Sequence, residues 1–274
     1  MTIDHSFMAK KLSRLETIYV LVSTATNLPF VECDENTFSD QVYVFSREEE
    51  MKQYAAIYTK SHYGLRGLGY PQRRIEELYD LFHEIGADTV QVVDGGAPIA
   101  VPLAALAPEP DYSDLPGGDD LPKTNPALQL TAIYFAQEVR RGGERSEKQK
   151  KRLRELEEEM AVNMFRSRFI ITFNMDKAIR KINNAKPQLR VPFVKNKSGK
   201  IFQPVYTDLC EFRRFARTQP ELQKMTVTAV VYDKLSELQA KEAASLVINP
   251  GGVNLALTAD QLVEMKRRYG KEDT

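Results

Sequence analysis

Cysteine and histidine are scarce in this sequence, and none of them sits where a metal or a nucleophile would need it. Of 274 residues, two are cysteine and three are histidine. Cys33 and Cys210 stand alone, which argues against a disulfide framework and suits a reducing compartment. His5, His62 and His83 share no ligand spacing with one another or with the cysteines, so no metal site is assigned. Long apolar runs are missing as well. "IYVLV" and "FIITF" have the length of strands and fall far short of a membrane span. The opening "MTIDHSFMAKKLSRLE" holds no apolar core, so no secretory leader is expected and the expected location is the cytoplasm. A surplus of charge is absent too: 38 basic residues meet 38 acidic ones, and no global field draws nucleic acid or an anionic membrane. No G-x-S-x-G elbow or dinucleotide fingerprint occurs. No catalytic residue and no cofactor is therefore assigned.

The chain does contain an echo of itself. With 42% apolar residues it can bury a core in each of two domains. "LPFV" (28–31) returns as "VPFV" (191–194), and "VFSREEEMKQYA" (44–55) as "VYTDLCEFRRFA" (205–216). Asp94-Gly95-Gly96 returns as Pro250-Gly251-Gly252, each between two apolar runs. Three ordered anchors indicate a tandem duplication. The expected fold is α+β, two tandem copies of a small mixed-sheet domain with flanking helices. The expected boundaries are a divergent copy over 8–108, an acidic Pro/Gly linker over 109–124 and a second copy over 125–274.

Each copy opens on a β-branched strand, "TIYVLVS" or "RFIITFN". Ser46 and Thr207 stand where helix N-caps are expected, with Glu49 completing a capping box for Ser46. Met51, Tyr54 and Ile57, and in the second copy Phe212 and Phe215, supply the apolar faces. A further helix follows Pro71, with Ile75, Leu78, Phe82 and Ile85 on one face. "TVTAVVY" is a strand of the second copy without a match in the first.

The Gly-Gly pairs invite a phosphate-cradle reading, which fails because no Lys-Ser/Thr follows them into a helix. An apolar run follows instead, and the helix starts only at Thr258, whose capping box closes at Gln261. The pattern is a strand–turn–strand, with glycine supplying positive φ. Asp94, Gly95, Gly96, Asn249, Gly251, Gly252 and Asn254 are the residues with which such turns would line a ligand site. The glycine-rich stretch Ser61–Arg74 reads as a loop. Its Tyr63, Arg66, Tyr70 and Arg73 are of the types enriched at binding hot spots and form the candidate partner-binding loop. The basic run Arg140–Arg154 is balanced by the acids that follow it and reads as a solvated helix, so nucleic acid is not an expected partner.

"NPALQLTAIYFAQ" (125–137), "VPFV", "FQPVYTDLCEFRRF" (202–215) and "SLVINPGGVNLALTADQL" (245–262) resemble the SseB N-terminal-domain family, the bacterial group named for enhanced serine sensitivity. The resemblance covers the second copy well and the first loosely, since Asp94 replaces Asn-Pro before Gly-Gly and the opening helix is missing. It implies an α+β domain in bacterial cytoplasmic proteins, no transferable catalytic residues, and a regulatory role with a link to amino-acid metabolism. The expectation is a non-catalytic module that binds a protein partner. The alternative is a small-ligand-binding protein or enzyme with a site between the copies.

Overall fold

The β-branched run Thr17–Ser23 forms β1, the strand on which the N-terminal half is built. The structure is a computed structural model that describes residues 5–115, 120–175 and 189–270. The chain divides into two compact units, one of Met1–Tyr112 with Gln129–Glu157 and one of Ser113–Leu128 with Glu158–Thr274. Helices and mixed sheets build both, as the α+β expectation requires.

In the first unit β1 lies between β4 (Leu65–Pro71) and β3 (Asp40–Phe45), antiparallel to each. Next to β3 runs β5 (Thr89–Val93), parallel to it, and then β6 (Ile99–Pro102), antiparallel to β5. The short β2 (Val31–Cys33) pairs with the start of β3. One face of β1 carries Ile18, Val20 and Val22, all buried. Side chains alternate across a strand, so Leu21 goes to the other face, where it packs with Phe45, Val93 and Met51 of α2 (Glu48–Lys60). The periodic run over α3 (Ile75–Glu84) buries its expected stripe of Ile75, Leu78 and Phe82, with Ile85 just beyond. Met8 and Leu12 anchor α1 (His5–Leu12), and α4 (Leu103–Leu106) follows β6.

β4 corrects the reading of Ser61–Arg74 as a loop. Seven of its residues pair with β1, from Leu65 opposite Ser23 to Pro71 opposite Thr17. Glycine hid this strand, because it lacks the β-branched signature. Gly67 lies under α2: a Cβ there would fall 2.0 Å from the Met51 methyl, the movable end of that side chain, so a larger residue requires the methionine to shift.

The second unit begins its sheet with β7 (Arg168–Met175), paired with β11 (Thr226–Val231) and with β8 (Leu189–Arg190). β10 (Ile201–Val205) pairs antiparallel with β9 (Val194–Lys195) and parallel with β12 (Leu246–Ile248), which pairs with β13 (Leu255–Leu257). A single bridge, Ile170 with Tyr206, joins β7 to the end of β10. Pro204 stands between the β9 ladder and that bridge, where its edge of β10 is unpaired, so its missing N–H costs nothing. The helices here are α7 (Leu209–Ala216), α8 (Tyr232–Leu238) and α9 (Ala259–Tyr269). Thr258 and Gln261 form the expected capping box on α9.

Both units follow one pairing scheme. β4-β1-β3-β5-β6 with β2 on β3 corresponds in order and sense to β11-β7-β10-β12-β13 with β9 on β10, the β7–β10 step being the isolated Ile170–Tyr206 bridge and β8 lying outside the scheme. "TVTAVVY" therefore has a counterpart after all, in the glycine-rich β4.

Two expected boundaries shift. Residues 129–157 cluster with the first unit, not with the second half. The cause lies in α5 (Pro126–Val139), which precedes α6 (Glu147–Arg166). Gln137 spans Val31, accepting from its N–H at 3.3 Å and donating to its carbonyl at 2.9 Å. Tyr134 donates to Asp40 at 2.6 Å. The linker is also more than a spacer where it is described. Leu115 is buried, and the carbonyls of Pro122 and Lys123 accept from the Leu209 and Cys210 amides at the start of α7. Residues 116–119 of the expected linker lie outside the described residues.

Candidate binding cleft

Where two parallel strands end side by side, the following loops meet, and ligands of open sheets gather there. In the first unit that place is filled by the protein itself. Asp94 accepts from Ser46 Oγ at 2.7 Å and from the Lys11 ammonium. Glu50 accepts the Gly95 amide at 2.6 Å and pairs with Arg47 at 2.7 Å. That bond from Arg47 holds the Glu50 carboxyl below its ordinary range. Gly95 has the expected positive φ, +78°, and Gly96 faces open space.

The second unit uses other residues for the same turn. Its left-handed positions are Asn249 at φ +48° and Asn254 at +50°, not the glycines. Asparagine tolerates this region because its short side chain bonds locally. Asn249 is fully buried, accepts from the Thr207 amide and donates to Thr207 Oγ1, both at 2.9 Å. Thr207 in turn donates to Asp208 at 2.7 Å, and Asp208 accepts the Glu211 amide at 2.9 Å. Burial, reinforced by the neighbouring Glu211 carboxylate, pushes the Asp208 carboxyl well above the ordinary carboxylate range. Glu211 pairs with Arg214. Gly251 lies against Phe215, where a Cβ would come within 3.3 Å.

This also corrects the expected caps. Ser46 and Thr207 do not cap their helices, because their hydroxyls reach across to the end of the neighbouring strand. The N-caps are Arg47, without a side-chain bond, and Asp208.

The candidate partner-binding residues are not brought together as a surface. Tyr63 turns inward: its ring meets Phe30 at 5.5 Å, its hydroxyl donates to Glu138 at 2.9 Å, and Arg141 covers it at 4.9 Å. Burial, with the Glu138 charge behind it, pushes the Tyr63 phenol up to about 12. Arg66 and Arg73 are exposed, and Tyr70 lies under the Arg74 guanidinium. The basic run is likewise occupied: Arg140 donates to the Ala25 carbonyl, Arg141 to Ser61, and Arg145 to Glu138 and Val139.

An open site lies elsewhere in the second unit, in a cleft of about 500 Å³ over β9, β10 and β12. Phe193, Val194, Phe202, Phe215, Val247 and Ala256 form its apolar wall, and Lys195, Asn196, Gln219 and Asn254 its polar margin. Among the described residues no acid lines it. Of the expected ligand-lining residues, Asn254 alone reaches it.

The first unit explains why this face is open. There α2 extends over thirteen residues, and its Tyr54 and Tyr58 rings pack on Phe45 at 5.2 Å and Phe30 at 4.9 Å. Tyr43 and Tyr58 both donate to Glu32, and burial raises both phenols. The counterparts in the second unit are different. By the repeat alignment Tyr43, Tyr54 and Tyr58 become Pro204, Phe215 and Gln219. Glu32 sits opposite Gln41, while Val194 sits opposite the matching Phe202. α7 has only eight residues and stops before Pro220, which is hostile to helix at its predecessor. The result is a face without its cover: Phe30 is 3% exposed, Phe193 40%. Among the described residues no cluster of His, Cys, Asp and Glu could hold a metal, and no helix is long and apolar enough to cross a membrane.

No family model and no curated protein matches the sequence. Two solved structures are similar to it. Tic22 from Plasmodium falciparum is 12% identical, with 97% of this chain and 99% of that one covered, at a TM-score of 0.21. Anabaena Tic22 (protein transport) is 6% identical, with 98% and 99% covered, also at 0.21. At that TM-score neither likeness bears on fold or function.

Proposed function

We propose that this chain is a non-catalytic, SseB-like bacterial protein that arose by tandem duplication and acts in the cytoplasm as a protein-interaction or regulatory module. Its working surface is the aromatic cleft of the second unit. The observation that carries this reading is the contrast between the units: the same sheet face is sealed by tyrosines in one and open, aromatic and rimmed by lysine in the other. Aromatic walls with a polar rim are what anchor side chains of protein partners need. The shared pairing scheme supports the duplication, and the quoted SseB-like segments support the family. A link to amino-acid metabolism rests on that family name alone.

The test is capture from a host lysate by the full chain and by Lys195→Glu, an exposed change that reverses the rim charge. A stoichiometric partner held by the first and lost by the second supports the module. Equal capture by both removes the cleft from the reading. The volume of the cleft favours a second reading, a small ligand, since pockets of this size hold them. A thermal-shift screen of amino acids and nucleotides tests it, and a flat response at physiological concentrations rejects it.

A further inference from the structure

The hairpin between β2 and β3 ends in an aromatic residue that nothing in its own unit explains. Phe38 is 78% exposed and holds φ +57°, a region that ordinary side chains avoid. The turn is braced: Asp34 Oδ1 accepts from the Asn36 and Thr37 amides at 2.9 and 2.8 Å, and the Phe38 amide donates to the Asp34 carbonyl at 2.8 Å. Asp34 and Glu35 lie on the same turn as Phe38, and no basic residue occurs between Glu32 and Asp40. A presented aromatic on a rigid, acidic tip has already met much of the entropy cost of binding.

The cleft of the second unit has the opposite character. Lys195 lines it, the Lys200 ammonium lies 5.8 Å from the Phe202 ring, and Lys197 stands on the same β9–β10 hairpin. We infer that a second copy of this chain supplies the occupant: the Phe38 tip of one molecule enters the second-unit cleft of another. The ring meets Phe193, Phe202 and Phe215, while Asp34 and Glu35 face Lys195 and Lys200. This rests on the cleft being a binding surface, as proposed above. The contact is heterologous, since tip and cleft are different surfaces, so it closes rings or propagates chains of molecules instead of pairing symmetric dimers.

Sedimentation of the purified full chain from micromolar to near-millimolar concentration tests it. Mass is expected to rise with concentration and to fall back with added salt. Phe38→Asn removes the ring while suiting the left-handed backbone, and is expected to weaken association roughly 30-fold, the effect of losing an aromatic hot spot. Lys195→Glu and Glu35→Lys each weaken association alone, and mixing the two variants restores it. A chain that stays monomeric throughout, or association that survives Phe38→Asn and Lys195→Glu, overturns the inference. If the chain is monomeric yet loses its lysate partner on Lys195→Glu, only the self-contact falls. If neither association nor cleft-dependent capture is seen, both readings fall.

Discussion

Replacing Gln137 by leucine isolates the contact that holds α5 on the first unit. Val31 and Gln137 are 1% and 4% exposed, so water cannot substitute for the lost amide. Leucine keeps the bulk and strands two backbone groups, the Val31 N–H and carbonyl, at about 1–3 kcal/mol each. The N–H bond is the longer, 3.3 Å against 2.9 Å, which places the sum near the lower end, about 3 kcal/mol. Glutamate at the same position keeps an acceptor for the N–H. Facing the carbonyl, it must hold a proton there, so its deficit is expected to grow as pH rises. The sequence has no tryptophan, so urea unfolding is followed by far-UV circular dichroism and tyrosine fluorescence. Hydrogen exchange of the peptide containing Val31 reports the site directly. Unfolding of Gln137→Leu within 0.5 kcal/mol of the parent, with Val31 still protected, would refute the edge-clamp argument.

Three further outcomes are expected. Asp208 holds its proton to higher pH than its ordinary value of 3.8. The folded state therefore binds more protons above that value, and stability is full below about pH 4 and falls as pH rises, by at most about 1.4 kcal/mol per unit. Asp208→Asn keeps an acceptor for the Glu211 amide and should flatten that slope, measured as urea midpoints between pH 5 and 8. Asn249→Ala leaves the buried Thr207 amide unpaired and strains a left-handed backbone, together about 3 kcal/mol, and Asn249→Gly should recover the strain but not the bond. Tyr63→Ala should lower the melting temperature, whereas Arg66→Ala on exposed β4 should not; equal melting points for both would contradict the inward placement of Tyr63.

The parts of the fold that could be read from sequence are those whose signal is local. β1 and β7 declare themselves by β-branched residues, α3 by its 3.6-residue stripe, and α9 by Thr258 and Gln261. β4 carries no such signal because Gly67 and Gly69 interrupt it, and its pairing with β1 leaves no local pattern. The Gly-Gly turns are legible as connections between paired strands, yet in the second unit the left-handed positions fall to two asparagines, of which Asn249 is bonded to Thr207, more than 40 positions upstream. The place of α5 in the chain points to the second unit, while Gln137 acts on Val31, a partner 106 positions away. The cleft is the absence of a cover, and absence shows only when α7 is set beside α2. One local sign existed: Pro220, which ends the chance of a longer helix.

Pro204 gives the second unit an internal fault line in its opening dynamics. Backbone groups alternate sides along a strand, and Gln203 N and Val205 O both serve the β12 side. The proline nitrogen therefore faces the side toward β7, where no ladder can form across it. Among the described residues only the reciprocal Ile170–Tyr206 bonds, 2.7 and 2.9 Å, carry backbone order over that seam, while the six paired positions of β7 with β11 form a ladder of their own. Tyr206, wholly buried, packs on Phe212 and Phe215 of α7, which lie on its own side of the seam. Native-state exchange should accordingly resolve two cooperative blocks within this unit, one around β7 and β11 and one around β10 and β12, each with its own opening free energy. The block that forms the floor of the cleft is the second, so the binding surface is able to stay folded while its neighbour across the proline opens.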